Sequence, residues 1–208
     1  MSTREKILGR IATALQDAER VPAPELRYGV GKPLPDVPGL FAERVEDYRA
    51  VVERVDHDAV APAVAAALSD AGRVVVPPGL PPAWLAGLDG VDVVTDDGTA
   101  AAVDLDRVDG VVTAAAVGIA VTGTIVLDHA ADQGRRALSL VPDLHVCVVR
   151  ESQLVGDVPG AVARLRDAVA AGRPLTWISG PSATSDIELE RVEGVHGPRT
   201  LHVLLVKD

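Results

Sequence analysis

Two stretches near the carboxyl end gather side chains able to hold an anion or move a proton. In Trp177-Ile178-Ser179-Gly180-Pro181-Ser182-Ala183-Thr184-Ser185-Asp186-Ile187-Glu188 an apolar run breaks at Gly180 and opens into hydroxyls and carboxylates. Shortly after it, Gly194-Val195-His196-Gly197-Pro198 presents a single imidazole on a backbone fixed by glycine and proline. An imidazole titrates near neutral pH, which makes proton transfer available to it. Asp186, Glu188 and His196 are therefore the candidate catalytic groups, and an Asp186–His196 contact would orient the ring. Gly180, Ser182 and Thr184 are candidate ligand contacts, because a glycine ahead of a helix start exposes amide donors that neighbouring hydroxyls can complete. Thr122-Gly123-Thr124 joins them only if it faces the same loop, and Arg135 could bring a counter-charge.

Two readings of the first stretch stand side by side. Ser185-Asp186-Ile187-Glu188 fits the S/T-x-x-E capping box, in which hydroxyl and carboxylate satisfy the free amides of a helix beginning near Asp186. As a ligand site the same residues favour a carboxylate, a hydroxyl-rich molecule or a metal-bridged anion, since two acids beside a bare phosphate would repel it. His196 likewise reads either as a proton carrier or as a staple between two loops. Thr-Gly-Thr alone is commonly a tight turn or bulge.

The elements that must position these groups alternate in type. Ile7, Leu8, Ile11 and Leu15 recur at helical spacing over residues 3–19, with Thr3 as the expected cap. Prolines 22, 24, 33, 35 and 38 mark a connecting arm, so the chain divides into residues 1–39, helix and proline-rich arm, and residues 40–208, the α/β domain. A charged helix is predicted over 40–56 with Phe41, Val45, Tyr48 and Val52 inward, and an Ala-rich helix over 58–71. Apolar β-branched runs at 73–76, 91–95, 110–113, 124–127, 145–149, 175–179 and 200–206 read as buried strands. Helices are expected at 82–85, 134–140 and 158–171, the last ended by Gly172. Residues 114–120 fit a helical turn or a bulged strand equally. Strands alternating with helices predict an α/β fold, a mostly parallel sheet covered by helices. In such sheets ligands bind beyond the carboxyl ends of the strands, where Gly180 is expected to lie.

Composition narrows the classes. The chain has 208 residues, enough for a substantial core, and 48% of them are hydrophobic although only 2% are aromatic. A net charge of −10 gives no basic footprint for nucleic acid or an anionic membrane. No apolar run reaches the roughly 18 residues of a membrane span, and MSTREKILGR lacks a secretory core, so a cytoplasmic location is expected. The one cysteine, Cys147, forms no internal disulfide and cannot by itself ligate a four-thiolate cluster. No phosphate-loop, dinucleotide or zinc signature is present, and no metal site is expected.

Ala120–Leu127, Gly134–Pro142, the Gly-Pro-Ser-x-Thr-x-Asp-Ile-Glu run from Gly180 to Glu188 and Gly194–Pro198 together resemble the LUD domain, the lactate-utilization family. The resemblance implies a fold like the sugar-phosphate isomerase and CoA-transferase superfamily. It also implies the small, redox-free member of a three-protein system oxidising L-lactate to pyruvate. The iron–sulfur clusters are then expected on partner subunits, with none in this chain. Members often carry an acid just before the Thr-Gly-Thr turn; Val121 stands there, which takes an acid–base role from that loop. The alternative is a stand-alone isomerase, CoA-transferase or folate cyclo-ligase type of enzyme acting on a small anion through Asp186 or Glu188. A small carboxylate is the expected ligand, and the N-terminal stripe must meet either the domain body or another subunit, including a second copy.

Overall fold

The computed structural model describes residues 2–17, 33–181, 183–184, 192–193 and 197–208. Helix α1 (Thr3–Ala14) starts at Ser2 rather than Thr3: the Ser2 hydroxyl accepts from Glu5 N–H at 3.2 Å, and Glu5 returns a carboxylate to the Ser2 amide. Ile7, Leu8, Ile11 and Leu15 are all exposed. The chain continues through α2 (Val37–Glu46), β1 (Val51–Val55), α3 (Val60–Ala67), β2 (Arg73–Val76), β3 (Asp92–Thr95), α4 (Ala102–Leu105) and β4 (Gly110–Ala114). Then come β5 (Val117–Ile119), β6 (Thr124–Leu127), β7 (Leu144–Arg150), β8 (Leu154–Val155), α5 (Val158–Arg164) and α6 (Arg166–Ala170). The last strands are β9 (Thr176–Ile178), β10 (Ala183–Thr184), β11 (Val192–Glu193) and β12 (Thr200–Val206).

A six-stranded sheet in the order β1-β12-β7-β4-β2-β3 is parallel throughout. Its central strands β7, β4 and β2 are valine-rich because both their faces are covered, whereas the edge strands β1 and β3 keep exposed Glu53, Arg54 and Asp92. On one face Val74, Val76, Val112, Val146 and Val148 pack against Val60, Ala63 and Val64 of α3 and against Trp84. On the other, Cys147, Val149, Val203 and Leu205 meet Phe41 and Val45 of α2 together with Ile125 and Leu127 of β6. That second face is closed by a smaller sheet, β8-β5-β6-β9, whose β5–β6 and β6–β9 pairs are antiparallel. Ala161 and Leu165, from the α5–α6 region, cover its far side over Val117, Ile119 and Val126. The fold is α/β with a mostly parallel central sheet flanked by helices. Among the described residues no helix is long and apolar enough to cross a membrane.

Several expectations need correction. The helix predicted over 40–56 ends at Glu46; Arg49 takes φ +67°, and Val52 belongs to β1, where it pairs with Val203 of β12. Edge pairing with a long central strand outweighs local helix propensity there. Strand 175–179 is not a parallel strand with a ligand edge: β9 lies in the smaller sheet, antiparallel to β6. The loop after it therefore does not occupy the carboxyl edge of the large sheet. Residues 114–120 resolve as the end of β4, then β5 leading into a 3₁₀ turn at Ala120–Thr122.

Candidate functional site

The Thr122-Gly123-Thr124 turn joins β5 to β6, with Ile119 opposite Thr124. Gly123 sits at φ +59°, and a Cβ there would come within 2.6 Å of the Arg44 carbonyl carbon in α2. Glycine is thus required twice, by a left-handed backbone and by the helix pressed against it. Tyr48, just past α2, donates its hydroxyl to the Thr122 carbonyl at 3.2 Å. Gly180, at φ +93°, leans on the same tyrosine: a Cβ there would lie 3.0 Å from Tyr48 Cγ and closer still to its Cβ. One aromatic residue therefore fixes both glycine turns.

A line of hydroxyls connects them. Thr122 donates Oγ1–H to Thr124 Oγ1 at 2.8 Å, and Thr124 Oγ1 lies 2.9 Å from Ser179 Oγ. Thr124 is buried, whereas Ser179 is exposed at the mouth of a cavity of about 220 Å³. Gly180, Pro181, Gly197 and Pro198 border this cavity too, so the described end of the Gly194–Pro198 element meets the Gly180 loop. It lies near the amino ends of β7 and β12, since His145 and Leu201 line it.

His145 is 1% exposed, and its Nε2 is 2.8 Å from Thr113 Oγ1. Burial pushes its imidazole down to about 4, so the ring is neutral at pH 7. Thr113 also reaches Cys147 Sγ at 3.8 Å, and burial pushes that thiol up to about 12. Cys147 is therefore a protonated core residue, inert as a nucleophile. A second imidazole, His129, takes φ +56° and bridges the Gly134 carbonyl (Nδ1, 2.7 Å) to the Thr176 hydroxyl (Nε2, 2.8 Å). A ring nitrogen facing a carbonyl must carry the proton, so Nδ1 donates to Gly134.

Of the residues singled out in the sequence, Thr122, Gly123, Thr124 and Gly180 come together. Thr184 lies in β10, whose Ala183 and Thr184 pair antiparallel with Glu193 and Val192. Ser182, Asp186, Glu188 and His196 lie outside the described residues, as does the helix expected from Asp186. Arg135 is engaged elsewhere: it donates Nε and Nη2 to the two Asp96 oxygens at 2.9 and 3.0 Å and Nη2 to the Ala100 carbonyl at 2.7 Å. Asp96 is nearly buried, and this hydrogen-bonded pairing raises the arginine further above its ordinary value. Arg135 thus ties the end of β3 to the loop leading into α4. None of the described residues lining the Gly180 cavity is charged. Ser179 is the exposed hydroxyl among its described lining residues; Ser139, Thr176 and His145 are buried and already hydrogen-bonded to Arg136, His129 and Thr113.

Sequence reasoning missed Tyr48, Ser179, His129 and His145 as parts of this arrangement. His145 had a usable signal: alternation along β7 puts it on the face of Cys147 and Val149, where a buried imidazole needs a polar partner. His129 follows an apolar strand inside a polar loop, and nothing in its spacing marks it.

The LUD domain family model matches residues 87–206, more than half of the chain. The chain belongs to the LUD domain family. Within that family it is 54% identical over 166 residues to Lactate utilization protein C of Deinococcus radiodurans, covering 80% of this chain and 77% of that protein. Lactate utilization protein C of Bacillus subtilis is 35% identical over 101 residues, which span 47% of this chain and 42% of that one. A crystal structure of a DUF162 family protein from Deinococcus radiodurans superposes with a TM-score of 0.72 at 45% identity, over 82% of this chain and 96% of that chain. The LUD match includes the Thr124–Ser179 contact, while Tyr48 and Arg44, which brace the two glycine turns, lie ahead of it.

Proposed function

We propose that this chain acts in lactate utilization, as the component without a redox centre in a multi-subunit iron–sulfur system that oxidises L-lactate to pyruvate. The observation that carries the reading is the 54% identity to a Lactate utilization protein C along most of both chains. The single thiol, buried and held protonated, supports placing cluster ligation on partner subunits. The system works in the cytoplasm, with the iron–sulfur subunits as this chain's partners.

The test is genetic and biochemical together. Deletion of the gene is expected to abolish growth on L-lactate as sole carbon source, and the full chain in trans to restore it. An affinity-tagged chain is expected to co-purify with iron–sulfur proteins from lactate-grown cells. Normal growth of the deletion strain, with no iron–sulfur protein retained, overturns the proposal.

A further inference from the structure

Helix α1 is 12 residues long, and none of its residues is buried. A helix that short is marginal in water unless a neighbour covers its apolar face. Ile7, Leu8, Ile11 and Leu15 make such a face, each about half exposed. The capping box at Ser2 and Glu5 fixes where the helix starts but shields none of these side chains.

A matching surface lies on α5 and α6. Ala161, Leu165 and Ala168 are buried, the first two against the small sheet. Helices at a protein surface set polar residues opposite such an inward stripe. Here Val158, Val162 and Val169 stand outward instead, 38%, 57% and 58% exposed, and with Pro159 and Arg166 they line a groove of about 810 Å³. Branching at Cβ makes valine a poor helix former, so no local preference accounts for it on an outer helical face. The arm is rooted at the edge of this groove. A Cβ on Gly156, two residues ahead of α5, would come within 3.3 Å of Leu34 Cδ1. Residues 18–32 join α1 to that root, and fifteen residues reach at most about 50 Å, against a groove about 20 Å long.

We infer that α1 of one copy lies in the α5–α6 groove of a second copy, and reciprocally, giving a two-fold dimer held by exchanged arms. One chain carries both the stripe and the groove, so a two-fold pairing covers both of each at once and leaves no open end. Copies facing each other across α5–α6 place each arm root beside the other's groove, well within reach. In the single chain helix and groove both stay open. Charge supports the choice of occupant. Residues 2–17 carry Arg4, Lys6 and Arg10 against Glu5 and Asp17, so the chain's −10 divides into +1 there and −11 on the rest. A cationic helix is drawn to a body of that sign, whereas an anionic membrane repels the same body. The inference stands apart from the proposed metabolic role and from the Gly180 cavity.

The test measures the mass of the full chain by light scattering at about 50 µM, a concentration that populates a dimer of micromolar affinity. The expected mass is twice 21.6 kDa. Ile11→Glu and Val162→Glu, exposed positions on the two facing surfaces, each raise the dissociation constant at least about tenfold. Val103→Glu, the same change at an exposed valine of α4, leaves it unaltered. Cross-linking identifies the occupant: chains carrying Ile11→Cys are mixed with isotope-labelled chains carrying Val162→Cys and treated with a short bis-maleimide. Buried Cys147 does not react, and linkage between labelled and unlabelled chains is expected. Should Val162→Glu fail to fold, Ile11→Glu decides the matter, because α1 contributes no buried residue to the body. A monomer overturns the inference, whether or not it binds anionic vesicles or an iron–sulfur protein. So does a dimer indifferent to both glutamates, or an 11–162 linkage that forms only within a doubly substituted chain.

Discussion

His145 gives the structure a pH dependence that can be worked out in advance. Its ordinary value of 6.5 falls to about 4 in the fold because the ring is fully buried. A folded-state value below the unfolded one means that the unfolded chain binds the proton first as pH drops. Stability is therefore fully present above about pH 6.5 and is lost progressively toward pH 4. At pH 5 the difference amounts to about 2 kcal/mol, approaching about 3 kcal/mol below pH 4. His145→Gln removes the titration while leaving an amide able to reach the Thr113 hydroxyl, 2.8 Å from Nε2 in the native chain. Urea unfolding followed by circular dichroism at pH 7.5, 6 and 5 on both proteins isolates the term, since the carboxylates titrate alike in each. Between about pH 7.5 and pH 5 the native chain should lose about 2 kcal/mol more than the variant. Parallel stability curves for the two proteins would show that the imidazole is protonated freely within the fold, and the burial argument would be wrong.

Three further outcomes follow from the geometry. Gly123→Ala forces a Cβ against the Arg44 backbone at a positive φ and should cost about 1–3 kcal/mol by thermal or urea unfolding. Arg135→Gln leaves Asp96, 5% exposed, without its cation and should cost up to about 3 kcal/mol at pH 7 by urea unfolding; a loss below about 0.5 kcal/mol would refute the charge argument. Thr124→Val breaks the Thr122–Thr124–Ser179 line and should cost about 1 kcal/mol, with Ser179→Ala nearly neutral because Ser179 is exposed.

The large sheet was legible because valine-rich runs between glycine and proline leave few alternatives to buried parallel strands. Val74–Val76, Val111–Val112 and Val146–Val149 are such runs, and each is a strand of that sheet. The small sheet was not legible. Thr124–Leu127 and Thr176–Ile178 have the same β-branched, apolar character as the parallel strands, and only their pairing tells them apart. That pairing is a long-range choice that local composition does not encode. The glycines of Thr-Gly-Thr and Gly-Pro-Ser stood out as a tight turn and as a break between an apolar run and a polar loop, and positive φ is what the structure adds; Tyr48, the residue that brings them together, read as one more inward position on a helix. Arg135 shows the converse: it was legible as a cation with a role, but its carboxylate partner lies far off in the chain at Asp96.

The lone Cys147 occupies the middle of β7, the strand flanked by β12 and β4, and no part of it reaches solvent. A sulfhydryl so placed meets an alkylating reagent only when the central strands separate. Its labelling rate under native conditions therefore clocks global opening of the large sheet, with the natural chain as its own reporter and no engineered probe.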